Sequence, residues 1–110
     1  MNNINTLAEL VDPNVKISIF RKGKYEYSLN SNDYLDMTRD MLKSTETITI
    51  DLYRFHKRAN GVMVISGKHV YLDRDNRERT VYVSFVMERI GGRWTLTQAG
   101  TAPDRIDEPR

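Results

Sequence analysis

The second half of the chain constrains the fold most. From Thr45 to Thr101, four stretches of strand character follow one another, separated by short turn signals. Ala59-Asn60-Gly61 is an Asn-Gly hairpin turn, Asp73-Arg74-Asp75-Asn76 a polar turn and Gly91-Gly92 a third. Between the last two, Val81, Val83, Phe85 and Met87 share one parity, and Tyr82, Ser84, Val86 and Glu88 the other. A period of two is the signature of a strand with two different faces. Short turns between such strands give an antiparallel meander.

The first of these strands, Thr45 to Arg58, slips in phase. Ile48, Ile50 and Leu52 share one parity, while Tyr53 and Phe55 take the other. A β-bulge near Leu52-Tyr53 would put both sets on the core face. A strand covered on both faces is the alternative. Val62 to Leu72 follows, with Gly67 as a bend. The last strand runs from Arg93 to Thr101.

The first half supplies what the sheet packs on. Ile4, Leu7, Ala8 and Val11 recur at helical spacing and predict a short amphipathic helix over residues 3–11. Asp12-Pro13-Asn14 ends it. Val15, Ile17 and Ile19 alternate with polar residues, Lys22-Gly23-Lys24 turns, and Tyr25, Tyr27 and Leu29 alternate again, so this pair reads as a hairpin. A longer helix follows over Ser31–Ser44. Asn30, Ser31 or Asn32 can cap it, Asp33 suits its positive end, and Tyr34, Leu35, Thr38, Met41 and Leu42 form one stripe. The predicted order is α-β-β-α-β-β-β-β. The expected fold is α+β, a strongly curved, mainly antiparallel six-stranded sheet packed on helices.

Composition narrows the function classes. With 110 residues, the chain suits one domain, expected over 1–101 with a flexible tail over 102–110. Seventeen Lys+Arg against 15 Asp+Glu leave a net charge of +2. The signs alternate, as in Arg74-Asp75-Asn76-Arg77-Glu78-Arg79, which is a solvated surface and not a nucleic-acid footprint. There is no Cys, so disulfides, thiolate metal sites and a Cys nucleophile are excluded. His56 and His69 lack metal-ligand spacing, so no metal is expected. No cofactor motif occurs, neither a phosphate-cradling loop nor a dinucleotide fingerprint. No apolar run approaches a membrane span. The sequence as written reads as soluble and cytoplasmic, or as an exported, periplasmic protein if its N-terminus has been trimmed.

The order of elements, the hairpin Val15–Leu29, the helix Ser31–Ser44 and the closing Phe85-Val86-Met87-Glu88-Arg89-Ile90-Gly91-Gly92-Arg93-Trp94-Thr95-Leu96 resemble the NTF2-like superfamily. This is the cone-shaped fold of nuclear transport factor 2, ketosteroid isomerase and SnoaL-type proteins. The resemblance covers about residues 12–101 and suggests a bacterial member with shortened N-terminal helices. It implies a homodimer, and a small apolar ligand or a protein partner held at the cone.

Enzymes of this fold use a carboxylate base with Tyr, or Asp with His. Asp51, Asp73, Asp75, His56 and His69 do not map onto those positions, so no catalytic residue is assigned. Asp51 has the parity opposite to Ile50 and Leu52 and is expected in solvent. Tyr34, His69, Tyr53 and Trp94 are the candidates for lining a pocket. Met37 and Met41 read as core filler. Because alternate turns of a meander share one end, Lys57, Arg58, Arg89 and Arg93 are expected to cluster as an anion or partner patch. The expected function is therefore a non-catalytic module that oligomerises and binds a partner or ligand. The alternative is a small cofactor-free enzyme acting by proton transfer.

Overall fold

A computed structural model describes residues 9–58 and 61–103. Its elements are β1 (Ile17–Arg21), β2 (Lys24–Leu29), α1 (Ser31–Ser44), β3 (Glu46–Arg58), β4 (Val62–Leu72), β5 (Glu78–Ile90) and β6 (Arg93–Ala102). The strands form one six-stranded sheet in the order β2-β1-β6-β5-β4-β3. β1 joins β6 in parallel, and every other neighbouring pair is antiparallel. Residues 3–8 of the helix expected over 3–11 fall outside the described residues, as do Ala59 and Asn60 of the first meander turn and 104–110 of the tail. β6 runs one residue beyond the expected end of the domain, and Ala102 is buried.

α1 begins where its cap dictates. The Asn30 side-chain oxygen accepts from the Asp33 N–H at 2.8 Å, satisfying one of the free donors of the first turn. Tyr34 is buried against the sheet. Met37 and Met41 are not core filler: both are partly exposed, on the helix surface above the sheet.

The face of the sheet that carries α1 holds the core. Ile17, Met87, Leu96 and Ala99 meet Val11 and Tyr34 there. Ile17 and Leu96 are the most deeply buried large side chains. The Leu96 N–H donates to the Leu10 carbonyl at 2.7 Å and ties the segment before β1 to β6.

The described sheet has four register shifts: one between β5 and β6 at Val86/Met87, two between β3 and β4, and one in the β1–β2 hairpin. The β3–β4 register shifts at Tyr53, where the phase slip points, and also at Ile48. Ile50, Leu52 and Phe55 consequently share the inner face, opposite His69, Gly67 and Ile65. They are nevertheless exposed and do not join the core. In the β1–β2 hairpin, Glu26 is an extra residue between Tyr25 and Tyr27. Tyr27 therefore pairs with Ile19 on the inner face, while Tyr25 pairs with Phe20 on the other and meets its ring edge-on at 5.9 Å. The simple alternation expected for this strand does not hold.

Candidate ligand cavity

Between α1 and the inner face lies a cavity of about 500 Å³. Its floor is the sheet: Ile19 from β1, Ala99 from β6, Val83 and Phe85 from β5. α1 contributes Tyr34, Met37, Thr38, Met41 and Leu42. β3 adds Thr47 and Ile50. Period two in β5 and the 3.6-residue period in α1 converge on the same space, which is why it is mostly apolar.

One polar pair, a buried His69 with a half-buried Thr47, stands in this wall. His69 is 6% exposed. Its Nε2 lies 3.0 Å from Thr47 Oγ1, and its ring leans on Tyr71 with centroids 5.0 Å apart. Burial lowers the His69 pKa from its ordinary value, because the imidazolium loses its hydration there. The imidazole is therefore neutral at neutral pH. Burial pushes the Tyr34 phenol up, and its hydrogen bond with Thr38 offsets part of the rise. Toward the β1–β2 side, Arg21 Nε and Glu26 Oε1 form an ion pair at 3.3 Å, with the Arg21 side chain well exposed. The Tyr27 hydroxyl donates to Met37 Sδ at 3.8 Å and links the hairpin to the helix.

No protein-family model matches the sequence, and no curated protein matches it. Solved structures do resemble it. A DUF4783 family protein from Bacteroides uniformis gives a TM-score of 0.74 at 9% identity, covering 94% of this chain and 88% of its own. An NTF-2 like protein of unknown function from Shewanella oneidensis gives 0.61 at 16%, covering 91% and 83%. A Catenulispora acidiphila protein with a ketosteroid isomerase-like fold, in complex with trimethylamine, gives 0.67 at 10%, covering 92% and 75%. The fold is NTF2-like.

Within the NTF2-like cone, two of the four expected pocket residues line the cavity: Tyr34 and His69. Tyr53 and Trp94 do not. Tyr53 is the extra residue at the second β3 bulge. Trp94 packs against the core, with the Arg89 guanidinium carbon 5.9 Å from the ring centroid. Thr47, Ile50, Met37, Met41 and Phe85 are lining residues that sequence reasoning did not single out for a pocket. The signal for Thr47 and Ile50 was the phase of β3, read at Leu52 but not at Ile48.

The four expected patch residues lie at one end of the NTF2-like sheet. The Arg89 N–H donates to the Gly61 carbonyl at 2.9 Å, so the two turns are neighbours. Lys57, Arg58, Arg89 and Arg93 are all exposed, and the Arg93 guanidinium donates to the Glu9 carbonyl at 3.1 Å. Asp51 and His56 are exposed on the face opposite the cavity, leaving His69 as the buried imidazole among the described residues. Among the described residues no group of acidic residues and histidines could hold a metal ion, and no helix is long and apolar enough to cross a membrane.

Proposed function

We propose that this chain is a non-catalytic binding module that holds a small, mainly apolar ligand in its cone and works as a homodimer. One observation carries the reading: a recess of about 500 Å³ whose apolar lining surrounds a single buried, neutral imidazole. Ligand pockets fall in the range of roughly 300–1,000 Å³ and pair apolar walls with a few fixed polar groups. Such a site suits an uncharged ligand with one hydrogen-bonding atom directed at His69. The recess favours a small molecule over a docked protein segment. The Catenulispora acidiphila protein, of similar fold, is in complex with trimethylamine, a small organic molecule, which is in keeping with this reading.

The proton-transfer alternative would draw its base from the cavity. His69 is the group available, and its ring nitrogen meets a threonine hydroxyl instead of an orienting carboxylate. The lining carboxylate, Glu26, is paired with Arg21. These contacts favour holding a ligand over moving its protons.

The test is titration with an environment-sensitive apolar probe, anilinonaphthalene sulfonate, beside native mass spectrometry of the freshly purified protein. Saturable binding that Met41→Trp abolishes, with an unchanged circular dichroism spectrum, is the expected result. Met41 is 40% exposed and lines the cavity, so the larger ring blocks the recess without disturbing the core. Equal probe binding by both proteins overturns the reading.

A further inference from the structure

His69 has two ring nitrogens and one hydrogen-bond partner. Its Nε2 meets the hydroxyl of half-buried Thr47 at 3.0 Å. Among the described residues, Nδ1 meets no donor or acceptor, and the Thr47 hydroxyl has no second partner. The strand neighbours that pair with His69 are apolar, Ile50 on β3 and Val81 on β5, and Tyr71 offers it only a ring. His69 is 6% exposed, and both it and Thr47 line the cavity. Buried polar atoms are normally paired. One left open in a cavity wall marks where a ligand atom can bind.

Counting partners decides which nitrogen holds the proton. A neutral imidazole has one N–H donor and one acceptor nitrogen, whereas a hydroxyl can play either part. With the proton on Nε2, that N–H donates to Thr47 Oγ1. The Nδ1 lone pair and the Thr47 hydroxyl hydrogen are then both left without a partner. With the proton on Nδ1, the Thr47 hydroxyl donates to Nε2, and only the Nδ1–H stays open. Leaving a buried polar group unpaired is costly, so the second arrangement is preferred. The bond made by one nitrogen thus sets the state of the other.

We propose that Thr47 holds His69 in the Nδ1–H form, so that the ring offers the cavity one N–H donor and selects a ligand bearing a carbonyl in place of a hydroxyl. This rests on the ligand half of the reading above and names the class of the ligand's hydrogen-bonding atom. A carbonyl oxygen accepts the N–H and brings no hydrogen of its own. A hydroxyl oxygen can accept the same bond, but its hydrogen then lies unpaired in a mainly apolar recess. The two ring nitrogens point away from each other, so that hydrogen is out of reach of Thr47. Thr47 is therefore a specificity-determining residue that acts through His69.

Two measurements test this. Heteronuclear NMR of the imidazole nitrogens reads the tautomer of the free protein at about pH 8, above the ordinary histidine value, with exposed His56 as the internal reference. Wild type and Thr47→Ser are expected to show the Nδ1–H form at His69, and Thr47→Val to shift toward the Nε2–H form. Benzophenone, benzhydrol and diphenylmethane share one skeleton and carry a carbonyl, a hydroxyl or neither. Displacement of anilinonaphthalene sulfonate ranks them. Benzophenone is expected to bind the wild type roughly tenfold tighter than diphenylmethane and roughly fivefold tighter than benzhydrol, the range of one hydrogen bond. Thr47→Val should bring the ketone-to-alcohol ratio toward unity and Thr47→Ser should keep it, with circular dichroism unchanged in both. The Nε2–H form in the free wild type, equal affinity for ketone and alcohol, or a ratio that Thr47→Val leaves intact overturns the proposal. The two readings fail separately: saturable probe uptake without a carbonyl preference removes this proposal alone, and absence of saturable uptake removes both.

Discussion

Thr47 Oγ1 and His69 Nε2 meet at 3.0 Å because of one extra residue in β3. Thr47 pairs with Tyr71 and Ile50 with His69, so positions three apart in β3 share the inner face. The extra residue between those pairs, Ile48, absorbs the odd step. Without it Thr47 and Ile50 would face opposite ways. Thr47→Val removes the hydroxyl and keeps the shape. It leaves a buried imidazole nitrogen unpaired, at a cost of about 1–2 kcal/mol in urea unfolding. His69→Leu carries its own cost, and the double variant should lose less than the sum of the singles. Strict additivity would show that the pair contributes nothing.

The same histidine makes stability depend on pH. Its folded pKa lies below the unfolded value, so the unfolded chain binds the proton more readily. Stability from the neutral ring is fully present above the unfolded pKa of about 6.5. It is lost progressively as pH falls from there through the lower folded value. Urea midpoints at about pH 7.5 and about pH 5 should therefore differ more for the wild type than for His69→Gln. An identical pH dependence in both proteins would contradict a buried, neutral His69.

Much of this architecture is legible in the chain, and what is not has a common cause. The helix Ser31–Ser44 follows from its apolar spacing and its cap, and the turns from their glycines and polar residues. The bulge at Tyr53 is visible because apolar parity changes there. The bulge at Ile48 is hidden, since Thr47-Ile48-Thr49-Ile50 alternates without a break. Lys24-Tyr25-Glu26-Tyr27 hides its bulge in the same way, and the two tyrosines part to opposite faces. Parity also says which residues share a face but not whether anything covers it. Ile50, Leu52 and Phe55 read as core and stand in the open for that reason. The cavity inherits both gaps: Tyr34 and His69 are found from their chemistry, while Thr47 and Ile50 depend on the unseen bulge.

Gly67 sits where β4 passes the second bulge, and no side chain fits there. A Cβ at this position would stand 2.7 Å from Leu52 Cδ2 and 2.9 Å from the Asp51 carbonyl oxygen. The leucine tip can move, but the carbonyl is backbone of the paired strand. Gly67→Ala is expected to destabilise by about 1–3 kcal/mol. Adding Leu52→Ala should recover only part of that, because the backbone contact remains. Full recovery in the double variant would mean that the side chain alone sets the limit.

Two isoleucines on the same face separate folding from function. Ile17 is 0% exposed in the core beneath α1, whereas Ile50 is 55% exposed on β3 and borders the cavity. Ile17→Ala removes contacts on every side and leaves a space its neighbours cannot fill, at a cost of about 2–5 kcal/mol. Ile50→Ala removes methyl groups already half in water, so its effect on unfolding should stay within about 0.5 kcal/mol. Its consequence should appear in probe affinity instead, where a wall of the recess is lost. Urea unfolding at low protein concentration and probe titration, run on both variants, measure the two effects separately. Ile50→Ala would have to destabilise as Ile17→Ala does, or leave probe affinity untouched, for this division of labour to be wrong.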